Sequence, residues 1–328
     1  MRKLVLLVAS LSCLAGGMGA LAGPAQAATL TFTGTLTSDW SIAGNWDLAQ
    51  VPTSGDDVVI PIGESAVLST ADGSARQITL APGASLTVSG ARTLTLASAG
   101  VSSFGGQVAV NGQATLVLDG TTTWSAGLWL LGGGGPVPAA TVSNDGALVI
   151  TGDVSTSNQG GSPVLRNLAG GTITRMTSAG TASFTVGLEN DGVVQVDTGT
   201  LVLGAGSGGL SSGGAFGVAG GAVLSVSGEH ALGALAQVSG AGTLRLDGAT
   251  FALAAGAGYS PATTLASGGF LGLAGVGSTT RLVSDGQGGG VSGVGTLAVG
   301  NGASNFDNVT FSGGGTTSFG ATGTTEAG

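Results

Sequence analysis

The chain has 328 residues, 66 of them glycine, only 8 % charged, with a formal charge of −9. So acidic a chain offers no basic face to phosphate, which excludes nucleic acid as a partner. A single cysteine excludes a disulfide framework, so stability has to come from packing.

The N-terminus reads Met1-Arg2-Lys3, then the apolar run Leu4 to Leu11, then small residues ending in Ala25-Gln26-Ala27. This order predicts a secretory signal peptide over 1–27, cut after Ala27, and with it a secreted or cell-surface location. Cys13 lies inside the leader and Ser10-Leu11-Ser12 makes a poor lipobox. The mature chain then holds six arginines against seventeen acids, a formal charge of −11. No later apolar run approaches the roughly 20 residues that span a bilayer, so no transmembrane segment is expected there.

Thr29 to Thr37 alternates threonine with Leu30, Phe32 and Leu36, the pattern of a half-buried strand. Next come Asp39-Trp40, Asn45-Trp46-Asp47 and Pro52-Thr53-Ser54-Gly55-Asp56-Asp57, leading into Val58-Val59-Ile60. This opening resembles that of secreted bacterial β-repeat proteins, which are similar to right-handed parallel β-helix adhesins and autotransporter passengers. The resemblance implies a fold more than a function, with residues 28–60 as an N-terminal cap and first strands and 61–328 as the repeat region.

Through that region a glycine-led phrase recurs, as in Pro82-Gly83-Ala84-Ser85-Leu86-Thr87-Val88, Asn144-Asp145-Gly146-Ala147-Leu148-Val149-Ile150 and Asn190-Asp191-Gly192-Val193-Val194-Gln195-Val196. Each copy reads as a turn, its glycine at positive φ, followed by a short strand with alternate side chains in a core. Units of this kind bury their apolar faces only against their neighbours, which predicts an all-β, right-handed parallel β-helix, with a β-sandwich array as the rival. Nine turn glycines from Gly83 to Gly295 average about 26 residues apart, giving about ten coils and, at strand spacing, a rod of roughly 50 Å. Leu86, Val88, Leu116, Leu118, Leu148, Ile150, Val194, Val196, Leu224, Val226, Leu244 and Leu246 are expected to stack inward. The stretch 320–328 carries no cap or sorting signal, so the repeat reads as incomplete there and its edge as open to end-to-end self-association.

Few residues suggest chemistry. Asp56 and Asp57 are adjacent and point to opposite faces of a strand, which favours turn and strand-entry duty over an acid–base pair. Asp145 and Asp191 occupy the same slot before glycine, a turn signature that leaves a calcium ladder as a minor alternative; no other cofactor is expected. Glu229-His230 contains the sole histidine, with no nucleophile motif to serve. Arg166, Arg175 and Arg245 suit a lyase base or carboxylate clamp less well than scattered surface duty. Trp40 and Trp46 suit a plug at the rod end. Trp124 and Trp129, beside the Gly132 to Gly135 loop, either fill the core or form the candidate carbohydrate-stacking pair. The threonines of 29–37 make one strand rather than an ice-binding array. The sequence reads as a non-catalytic structural or adhesive module, its partners being cell-surface or matrix glycans or proteins. The alternative is a β-helix lyase or hydrolase acting on polysaccharide.

Overall fold

The computed structural model describes residues 27–132, 140–204, 211–302, 304–305, 308–319 and 325–326. The predicted leader, but for Ala27, lies outside this range. Within it the chain is all-β but for one 3₁₀ turn, Ala43–Asn45. Every pairing between strands is parallel, which removes the β-sandwich rival: the chain is a parallel β-solenoid of about 12 turns.

Each turn lays down three strands, one on each of three faces. Asp57–Ile60, Ser65–Leu68 and Gly73–Ala75 open the first, second and third faces, and Gln77–Leu80 then stacks on Asp57–Ile60 in register. First-face strands start at 57 and, twelve turns on, at 316, so a turn takes about 22 residues. At about 4.8 Å per strand the rod is roughly 55 Å long. In the ninth and tenth turns the corner between the first two faces straightens, leaving the single long strands Gln237–Asp247 and Gly258–Ser267.

The sequence spacing of 26 is too long because it pools glycines from different corners. Gly83 and Gly221 precede second-face strands, Gly146, Gly171 and Gly192 precede first-face strands, and Gly242 and Gly277 lie inside strands. Nor do all of them serve by conformation. Gly83 has φ +80°, as expected of a turn glycine. At Gly146 the constraint is room: a Cβ there would be driven into the Gly120 carbonyl of the turn beneath.

The alternation predicts the core well. All twelve residues named above as inward are fully buried, but they belong to three ladders, one per face, rather than to one repeated phrase. A Leu at the second and another at the fourth position of a four-residue strand points both into the tube, and in-register stacking puts like on like.

Residues 28–56 lie across the N-terminal end. Thr29–Thr31 pairs with Asp57–Val59, the Phe32 amide donates to the Val59 carbonyl, and the Trp40 amide to that of Val67. Trp46 meets Phe32 and Trp40 edge-on, with ring centroids 5.1 and 4.9 Å away, and its Nε1 donates to the Trp40 carbonyl at 2.8 Å. The strand expected over Thr29 to Thr37 stops at Thr31, and Leu36, expected inside, is 65 % exposed. The cause is Asn45: its buried side chain accepts from the amides of Leu36 and Thr37 and donates to Thr37 Oγ1 and the Asp39 carbonyl, bending the chain away. Among the described residues no helix is long and apolar enough to cross a membrane.

Candidate functional site

The side chains with the most chemistry to offer are used mainly in the interior and at the corners. Trp124 sits at the fourth position of Thr121–Trp124 and Trp129 at the second of Leu128–Gly132, both inward slots on adjoining faces. Their rings stack at 4.4 Å and 24°, Trp124 also lies over Phe184 and Trp129 beside Phe104, and both are 0 % exposed. A ring enclosed by core side chains has no face for a sugar, so Trp124 and Trp129 are corrected from stacking candidates to core. The Gly132 to Gly135 loop beside them lies, but for Gly132, outside the described residues.

On the third face the fourth position changes from leucine to asparagine. Leu118 is followed in the same slot by Asn144, Asn167 and Asn190, all buried. Asn144 Nδ2 donates to Asn167 Oδ1, and Asn167 Nδ2 to Asn190 Oδ1, each at 2.7 Å. The Nδ2 groups also donate to the carbonyls of Thr172, Val193 and Ala215 across the next corner. Asn144 Oδ1, facing the Leu118 side, has no partner. In the Asn-Asp-Gly phrases the asparagine is thus the structural residue, while Asp145 and Asp191 lie outside as exposed corner residues. The step of 23 residues from Asn144 to Asn167 to Asn190 was the signal in the sequence.

Arg175 occupies an inward slot between Ile150 and Val196 and is 0 % exposed, not a surface arginine. Its guanidinium turns to the corner beneath, donating to the Gly152 carbonyl at 2.7 Å and to Asp153 Oδ1 at 2.6 Å, where Ser178 Oγ also donates at 2.6 Å. The Ser178 and Arg175 hydrogen bonds hold the Asp153 carboxyl below its usual range. Arg166 pairs with Glu189 on the exterior. Arg245 donates to Ser267 Oγ, which donates to Asp285 at 2.6 Å, and that hydrogen bond lowers the Asp285 carboxyl.

Asp56 and Asp57 part as expected. Asp56 accepts from the Thr53 amide and hydroxyl within its turn, and Asp57 pairs with Arg76 of the next turn. His230 points inward beside Phe251, its Nε2 donating to the Ser227 carbonyl at 2.9 Å; burial pushes its pKa down, against that hydrogen bond. Glu229 is exposed on the neighbouring position. A relay that sequence reasoning missed closes the straightened corner: Tyr259 Oη donates to Thr264 Oγ1 at 2.6 Å, Thr264 to Thr279 at 3.1 Å, and Thr279 to the Arg281 carbonyl at 2.9 Å.

One outer groove of about 450 Å³ runs along the second face, with Thr181, Thr200, Val223, Thr243, Arg245 and Asp247 on its walls. Among the described residues no three His, Cys, Asp or Glu side chains converge to hold a metal ion.

These features define the class: a parallel β-solenoid with an aromatic N-terminal plug and a polar interior seam. A family model described as a domain of unknown function, DUF8693, matches residues 31–127, which take in the plug and the first turns. No curated protein and no solved structure matches.

Proposed function

We propose that the chain is a non-catalytic structural or adhesive module of a secreted or cell-surface bacterial protein, with glycans or proteins of the surface or matrix as partners. The observation that carries this reading is the inward commitment of the four tryptophans, the asparagine seam and Arg175, beneath outer faces built largely of Thr, Ser, Val, Ala and Gly. A solenoid so built spans distance and offers flat area. The test is retention of purified protein on bacterial cells and immobilised glycans, with N-terminal sequencing of the exported form expected to begin at Ala28. Failure to bind either, or export without processing, would sink the reading.

The second-face groove favours one alternative, a polysaccharide-active enzyme, because Arg245 and Asp247 sit together on its wall. Release of product from pectin or alginate that Arg245→Ala abolishes would establish that alternative. Arg175 is unsuited to this test, since its loss disturbs the core.

A further inference from the structure

Past Asp57, which stands at the outward first position of its opening strand, the first face is free of charge. From Gln77 to Ser318 it presents twelve stacked strands, and their outward first and third positions hold no Asp, Glu, Lys or Arg; all of these positions are described residues. The other faces differ, the second carrying Arg245 and Arg281 and the third Arg166, Glu189 and Glu229. The other acids near the first face stand at its rims, such as Asp145 and Asp191 where strands enter and Asp153 and Asp197 where they leave. Exposed Val101, Val193 and Val276 project from the uncharged strip, at 62, 41 and 75 % exposure.

We propose that this strip is a lateral pairing surface, and that its occupant is the same strip of a second copy. Two chains of charge −9 repel wherever acids oppose acids, and the first face lets them meet over a neutral area. An uncharged centre within a charged rim is the composition of a pairing surface. Stacked parallel strands bearing Thr, Ser, Val and Ala give the ridged, dry-packing surface of one half of a steric zipper. Twelve strands at about 4.8 Å, each about 10 Å long, give a flat area of roughly 600 Å². That approaches the about 800 Å² per partner of a standard interface, before relief is counted. Because the same strip serves both copies, association closes at two. Rim acids then face one another, so added salt tightens the pair.

The test is sedimentation of the purified chain across concentration and salt. The comparison is the doubly substituted Val149→Glu/Thr174→Glu chain, with Thr95→Glu/Thr250→Glu on the third face as control. Melting curves first confirm that both variants are folded. The wild type and the control should dimerise at micromolar concentration and more tightly at high salt, while the first-face variant should weaken by about tenfold or more, as like charges are forced together. A wild type monomeric at about 100 µM, a control as weak as the first-face variant, or mass that grows past two copies would overturn the proposal. The last outcome would point to end-to-end contact. A monomer that loses glycan retention only in the first-face variant would assign the strip to glycan instead.

Discussion

Asn167 has an amide neighbour on either side, whereas Asn144 has one on a single side and Leu118 on the other. Asn167→Leu strips Asn144 Nδ2 of its amide acceptor and Asn190 Oδ1 of its donor, so it should cost about 2–3 kcal/mol, the penalty for buried polar groups left unmet. Asn144→Leu extends the leucine run by one turn and removes an oxygen that has no partner, and of the neighbouring amides it strips only Asn167 Oδ1, of its donor. Its cost should be smaller by about 1 kcal/mol or more, read from urea denaturation midpoints of the two variants. At Asp153 the prediction concerns pH. Its folded pKa lies below the ordinary 3.8, so the stabilisation by Ser178 and Arg175 is complete above 3.8. It is lost as pH falls through the folded value, because the unfolded chain takes up the proton first. Asp153→Asn should melt lower than wild type at pH 7 and flatten the acid limb of Tm against pH; a variant with an unchanged acid limb would contradict this.

At the scale of elements, the plug and the strands differ in how openly the sequence declared them. The strands were legible because period-two alternation is fixed by backbone geometry, so Leu148 and Ile150 had to share a side. The plug was legible in its tryptophans but not in its path, since the bend at Leu36 depends on Asn45, nine residues away. Arg175 was illegible for a related reason: its inward slot follows from strand register, while its charge is met by a corner 22 residues earlier. The Trp124 and Trp129 pair could be read either way until their slots were fixed, because an aromatic near a loop is equally at home inside or out. Trp46→Ala removes the ring that both Phe32 and Trp40 pack against. It should cost on the order of 3 kcal/mol and raise hydrogen exchange first in the edge amides of Asp57–Ile60 and Ser65–Leu68. Uniform loss of protection along the rod, or none, would argue that the segment is not a plug.

At the scale of the whole molecule, repetition decides what kind of stability is available. Each turn touches only the turns above and below, so the rod holds through a sum of neighbour contacts rather than one central core. The turn count was underestimated from sequence for the same reason, since every corner uses glycine and a linear reading cannot tell one corner from another. Function was the least legible part. A solenoid's faces are set by which residues land in register over twelve turns, and the uncharged strip of the first face from Gln77 onward is visible only after the chain is wound.

The three corners do not share the work of winding equally. Where the third face passes into the first, the link is one, two or four residues at every turn, and Gly146 shows that even a methyl group lacks room there. Where the second passes into the third, the link ranges from two residues to the longer spans between Gly132 and Thr141 and between Leu203 and Ser211. Length is therefore free on one edge of the rod and held to four residues or fewer on another, which makes the free edge the route by which such a chain can acquire new sequence. A ten-residue hydrophilic insert between Ser227 and Gly228 should leave the melting temperature within a few degrees. The same insert between Asp145 and Gly146 should prevent folding, as circular dichroism and solubility would report.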